Sequence, residues 1–212
     1  MSHLEQSTPK NRLLGAMSQD DSDRFFSDLD PVPLALRQIV YQVGAPLEHV
    51  YFIEQGIASI VTIMTDGESI ESGMIGMEGM VGLPAHFGAT VSGQQVIVQA
   101  PGSALRMGTA KCRAAFDQSA AVRRVILRYA GVLLNIASQT AACNRLHSVK
   151  QRTARWLLMM YDRLRTEEMP LTHDFLSTML AVRRPGVTEV AGELQRAGLI
   201  RYGPRSGYDP RS

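Results

Sequence analysis

The sequence predicts an α+β chain with an all-β half followed by an all-helical half. Three observations predict it. Short β-branched runs cut by glycine fill residues 33–107, an apolar period of three and four sets in near residue 120, and two short amphipathic stretches flank a tight turn near the carboxyl end. A length of 212 residues allows one or two domains. With 45% hydrophobic and 20% charged residues, a real core can form.

Residues 1–10 are polar and are expected to be loose. Leu13, Leu14, Met17, Phe25, Phe26 and Leu29 then suggest one or two short helices, broken near Ser22 and ended by Asp28, Asp30, Pro31 and Pro33. The β runs fall at residues 34–42, 49–56, 58–64, 69–76, 94–99 and 103–107, a spacing that fits a barrel or sandwich. The clearest turns are Val43-Gly44-Ala45-Pro46 and Thr65-Asp66-Gly67-Glu68, the second carrying the Asp-Gly pair that a hairpin favours.

From residue 120 to 147, Val122, Ile126, Tyr129, Leu133, Ile136, Thr140, Cys143 and His147 recur at alternating steps of four and three. Such a helix is about 40 Å long at ~1.5 Å per residue. It either pairs with a second helix or packs on its own β-domain. We favour pairing, because Val125, Leu127, Val132 and Leu134 widen the apolar face enough to cover both. A further helix over residues 149–164 turns Trp156, Leu157, Met160 and Leu164 inward. Lys150, Arg152 and Arg155 near its start either meet phosphates or are simply solvated.

Residues 171–202 have the punctuation of two helices and a turn. Pro170 stops what precedes, Thr172 can cap the first helix, and Asp174 complements its dipole. Phe175, Leu176, Met179 and Leu180 form one apolar face. After Ala181 and Val182, Pro185 suits a first turn, Val187, Val190 and Leu194 point inward, and Gly198 closes the helix with Arg196 in its last turn. In a DNA-reading module of this shape the second helix enters the major groove, which makes Arg183, Arg184, Thr188 and Glu189 the outward candidates. Thr172 and Arg152 complete the expected DNA-contact set. The same residues also fit a helical hairpin with a solvated charged face, in which Arg184 binds a carboxylate.

Charge supports the first reading. Residues 145–212 hold 12 Lys+Arg against 7 Asp+Glu, net +5, and residues 1–144 hold 10 against 13, net −3. A local basic excess favours a polyanion, though this one is modest. Cys112 and Cys143 make neither a disulfide framework nor a metal motif, so a reducing cytoplasm is the simplest home. No apolar run approaches a membrane span, and residues 1–17 lack a signal-peptide core. A metal-dependent enzyme on a small β-barrel is the competing class. His3, His49, His86, His147 and His173 show no H-x-H or H-x-x-H spacing, and no G-x-S-x-G appears.

Over residues ~12–202 the chain resembles the Crp/Fnr family of bacterial transcription regulators. The phrases that carry this are VGAPLEHVYFIEQGIASIV, IGMEGMVGLP, the long helix after APGSALRM, and LTHDFLSTMLAVRRPGVTEVAGELQRAGLI. The resemblance implies a cupin-like β-roll (a double-stranded β-helix) that senses an effector over residues 1–118. It further implies a dimerisation helix over 119–147 and a C-terminal winged helix-turn-helix over 148–212. A homodimer on a palindromic operator follows, with RNA polymerase and an unidentified small molecule as further candidate partners. The dimer interface is expected at Val122, Ile126, Tyr129, Leu133, Ile136 and Thr140. Arg184 matches the family's base-reading arginine. Pro185 and Glu189 stand where glutamate and arginine are usual in the cyclic-AMP receptor, so the operator should differ.

Family members that bind cyclic nucleotides carry a Gly-Glu pair and a later Arg. Here the stretch is Gly79-Met80-Val81-Gly82-Leu83 and then Gln94-Gln95-Val96, without either charge. A buried phosphate lacking a cation costs several kcal/mol by order of magnitude, so weak or no cyclic-nucleotide binding is expected. Glu78 is an alternative for the sugar, and Arg106, Arg123 or Arg124 would have to supply the cation. Pocket candidates are Met74, Met80, Gly82, Gln94 and Gln95. An iron–sulfur cluster has no cysteine before Cys112, and haem would need His49, His86 or His147, each more simply a surface or core residue. No cofactor is therefore expected. The wing is doubtful as well: residues 199–202 suit a first strand, but GPRSGYDPRS is short and proline-broken. Arg201, Arg205 and Arg211 either touch phosphates as a tail or belong to a curtailed wing. A β-roll dimer with reduced DNA binding is the remaining alternative.

Overall fold

The computed structural model describes residues 9–17, 25–169 and 171–201. Pro170, Ser22 and residues 202–212 lie outside the described residues; residues 199–201, the described part of the expected first wing strand, form no strand. Among the described residues six strands form one antiparallel sheet: β1 (Asp30–Leu34), β2 (Ile39–Tyr41), β3 (His49–Ile63), β4 (Ser69–Ile75), β5 (Met80–Val81) and β6 (Gln95–Gly108). The order is β1-β6-β3-β4, with β2 also on β6 and β5 also on β3. The helices are α1 (Arg12–Gly15), α2 (Thr109–Gln118), α3 (Ala120–Leu146), α4 (Val149–Leu164), α5 (His173–Leu180) and α6 (Arg184–Arg196).

Two pairs of expected short strands are single long ones. Residues 49–56 and 58–64 fuse into β3, and residues 94–99 and 103–107 into β6, because the glycines mark bulges rather than breaks. Gly56 has φ +88°, and a Cβ there would sit 2.5 Å from the Ala100 carbonyl oxygen; one on Gly102 would sit 2.1 Å from that of Gln55. Two backbones pass at a distance that excludes a side chain. Pro31 and Pro33, expected to end a helix, lie in β1 at the edge of the sheet, where a missing N–H is tolerated. The Asp66-Gly67 turn joins β3 to β4 as its sequence suggests, with Asp66 accepting from the Glu68 amide.

Three apolar clusters hold the molecule. One fills the roll, with Leu34, Ile53, Val81 and Val98 among its members. A second seals the roll against α1, α2 and the first half of α3, burying Val122, Ile126 and Tyr129 with Phe52 and Met80. This corrects the expected pairing seam: Val122, Ile126 and Tyr129 are only 1%, 0% and 6% exposed within one chain and are not free to meet another. Leu133 is half-buried against the same cluster, and Ile136 and Thr140 are half-buried further along. Leu127, Val132 and Leu134 point outward instead. The third cluster joins Ile57, Val61, Met74 and Ala100 of the roll to Trp156, Met160, Leu176, Met179, Leu180 and Val187.

The helix breaks are written locally. Ser119 caps α3, and Ser148 with Gln151 forms a reciprocal capping box that starts α4. Asn11, fully buried, donates to the carbonyls of Ile53 and Gly79 and accepts from the amides of Leu13 and Leu14. It pins residues 10–17 to the roll, beside a stretch whose sequence suggests looseness.

Candidate nucleic-acid interface and sensing pocket

The α5–α6 pair is set by caps. Thr172 accepts from the Phe175 amide at 3.1 Å, Asp174 stands in the first turn, and Ala181 ends α5 in the left-handed region at φ 48°. Pro185 occupies the first turn of α6, whose Val187, Val190, Ala191 and Leu194 are buried. That burial fixes the other face outward: Arg183, Arg184, Thr188 and Glu189 are all exposed. Arg184 Nε lies 3.1 Å from Asp174 Oδ1. Thr188 Oγ1 donates to the Arg184 carbonyl and lies 3.1 Å from His173 Nδ1, so its hydroxyl is already engaged.

Two expected phosphate contacts are otherwise employed. Arg152 is half-buried and its Nη1 donates to the Leu180 carbonyl at 3.0 Å, capping the end of α5. Its Nε is buried without a partner among the described residues. Lys150 pairs with Glu193 of α6 at 2.8 Å. The Thr172 hydroxyl serves its helix.

The roll holds a cavity of about 100 Å³. Of the pocket candidates, Met80, Gly82 and Gln94 line it, together with Tyr41, Ile60, Leu83, Phe87 and, from α3, Leu133. Met74 and Gln95 do not. Met74 faces the joint with the helices, because β4 alternates and its neighbour Ile75 takes the pocket side. Gln95 pairs with Gln42. Gln94 donates its amide to the Thr62 and Ser72 hydroxyls, and its side-chain carbonyl oxygen takes no hydrogen bond among the described residues.

None of the lining residues is Lys or Arg. Arg106 pairs with Asp30, Arg123 donates to the carbonyls of Phe116 and Asp117, and Arg124 does not line the cavity. Glu78, the alternative for a sugar, is bound to Arg163 at 2.8 Å. A cyclic nucleotide phosphate would meet an acceptor and apolar walls, so these residues do not fit that group. His49 packs near the Tyr51 ring, His86 Nε2 lies 3.3 Å from Cys112 Sγ, and His147 ends α3, so the three do not converge. No helix among the described residues is long and apolar enough to cross a membrane.

A buried polar chain at the joint escaped the sequence reading. Glu71 of β4 accepts from Trp156 Nε1 of α4 at 3.1 Å and contacts Ser59 Oγ at 2.6 Å; Ser59 also contacts Gln99 Oε1, and Gln99 Nε2 reaches Met160 Sδ. Burial pushes the Glu71 carboxyl up to about 7, against the opposing pull of Ser59, Trp156, Arg163 and Arg155. Beside it, Arg163 of α4 binds Glu78 and the Met74 carbonyl. Only the inward register of Glu71 in an alternating strand hinted at this.

The family model of the cyclic nucleotide-binding domain matches residues 31–119, and that of the Crp-like helix-turn-helix domain matches residues 151–208. No curated protein matches the sequence. Among solved structures, the c-di-GMP-responsive global regulator CLP of Xanthomonas campestris has a TM-score of 0.72 at 16% identity, covering 89% of this chain and 97% of its own. FixK2 from Bradyrhizobium japonicum gives 0.71 at 17%, covering 85% and 89%. A Crp/Fnr-family regulator from Thermus thermophilus gives 0.68 at 19%, covering 82% and 90%. At such identities the likeness is one of fold.

Proposed function

We propose, for a chain that belongs to the Crp/Fnr family of DNA-binding transcription regulators, that two copies pair along α3 and set two α6 helices into successive major grooves of a palindromic duplex. One observation carries this reading: the N-cap and first two turns of α6 offer Arg183, Arg184 and Glu189 to solvent while the opposite face of the helix is locked into the core. Arg184 is the residue we assign to guanine, and Glu189 has the chemistry to accept from a cytosine amino group. The pairing face is the outward one that carries Leu127 and Leu134, seven residues apart on the side of α3 turned away from the roll. In this scheme residues 1–118 sense, 119–147 pair, and 148–212 bind DNA. The protein is a regulator rather than an enzyme, works in the cytoplasm where its DNA lies, and has RNA polymerase as its candidate protein partner.

The effector of the roll is an uncharged, mainly apolar molecule that donates one hydrogen bond to Gln94, not cyclic AMP. Leu133 gives that molecule direct contact with α3, and binding shifts the spacing of the two α6 helices only if it prefers one arrangement. In vitro selection from random duplexes tests the DNA reading. Enrichment of a two-fold symmetric site, with half-sites about 34 Å apart, is the expected result. Recovery of no motif would refute it.

A further inference from the structure

We infer that Asp174 is a positioning residue for base reading: by holding the Nε edge of Arg184, it leaves the two terminal nitrogens as the edge presented to a guanine. This rests on the reading of α6 as the groove-entering helix. A guanidinium has two edges able to make paired hydrogen bonds, one formed by Nε with a terminal nitrogen and one by the two terminal nitrogens. Asp174 Oδ1, 3.1 Å from Nε, occupies the first. The second matches the N7 and O6 acceptors of guanine.

The pair is accessible, with the Arg184 and Asp174 side chains 62% and 71% exposed, so a duplex can reach it without opening the core. An ion pair this exposed contributes little to folding. A carboxylate beside a phosphate-lined groove also opposes DNA binding in general. Its remaining effect is to restrict the arginine's rotamers before the base arrives, when water is excluded and the bond strengthens. The two first turns are tied at a second point, where Thr188 bridges the Arg184 carbonyl and His173. Both the backbone carbonyl and the Nε of Arg184 are therefore tied to α5, with the terminal nitrogens left for the base.

The test uses the full chain and three proteins: wild type, Asp174→Asn and Arg184→Ala. Fluorescence anisotropy gives the affinity of each for a selected duplex, for duplexes with each guanine replaced in turn, and for an unrelated duplex. Arg184→Ala is expected to lose roughly 5- to 150-fold of its preference at one guanine. Asp174→Asn should lose about 3- to 10-fold at that same guanine, while binding the unrelated duplex as well as or better than wild type because a negative charge is gone. A merely structural role would weaken binding to every duplex alike. Full retention of the preference in Asp174→Asn, or equal loss on all duplexes, overturns the proposal. Should Arg184→Ala keep its preference everywhere, the reading of α6 itself falls, and the proposal with it.

Discussion

Replacing Glu71 by Gln should remove a pH dependence that the wild-type joint carries. The hydrogen count argues for a protonated carboxyl: Ser59 has one hydroxyl hydrogen but faces two acceptors, Glu71 Oε2 and Gln99 Oε1. A proton on Glu71 lets the acid donate to Ser59, Ser59 to Gln99, and Gln99 to Met160, so that every member is satisfied. Burial raises the folded carboxyl from 4.5 to about 7. Between those values the folded chain retains a proton that the unfolded chain has lost, so stability falls as pH rises through the window and levels off above it. At about 1.36 kcal/mol per unit the difference is on the order of 3 kcal/mol. In a protein of this size that is roughly 6 to 12 °C in Tm. The amide introduced by Glu71→Gln would mimic the neutral acid, accepting from Trp156 and donating to Ser59. Thermal unfolding at fixed protein concentration, followed by the fluorescence of the single tryptophan at the joint, measures it directly. Glu71→Gln should match wild type near pH 4.5, exceed it at pH 8, and show a flatter profile between. A variant that is less stable at pH 8, or that keeps the wild-type slope, refutes the assignment.

Three other outcomes follow from the geometry. Leu134→Glu should dissociate the proposed dimer in sedimentation experiments with the fold intact, because the side chain is 67% exposed, whereas Ile126→Glu, at 0%, should prevent folding. Arg152→Ala should lower stability by about 1 kcal/mol through loss of the bond to the Leu180 carbonyl, and it should leave the salt dependence of DNA binding unchanged in a titration at several ionic strengths. Cyclic AMP added in calorimetry should give no saturable heat, and Leu133→Phe should narrow the pocket without creating such binding.

The order of elements was legible because each rests on a local signal. The Asp66-Gly67 hairpin, the three-and-four period of α3, the Thr172 cap and Pro185 each speak within one turn of chain. The exposed position of Arg183 and Arg184 was legible too, since Val187, Val190 and Leu194 fix the opposite face. What failed needed contacts across the fold. The α3 period marks an apolar stripe but not which surface meets it, and the roll takes Val122, Ile126 and Tyr129. Arg152 reads as a free cation until the end of α5 is placed beside it. Met74 and Met80 are alike in composition, and only strand register sends one to the joint and the other to the pocket. The open alternative that Arg184 binds a carboxylate and the guanine assignment both survive, because Asp174 takes one edge of the guanidinium and leaves the other.

Guanine N7 lies in the major groove, so dimethyl sulfate footprinting on a selected duplex looks directly at whether α6 reads bases there. The expected result is one protected guanine in each half-site, about one helical turn apart, with protection lost in Arg184→Ala. Guanines that stay reactive under saturating protein, or a footprint unchanged by that substitution, would contradict the assignment of Arg184 and the groove-entering role of the helix that carries it.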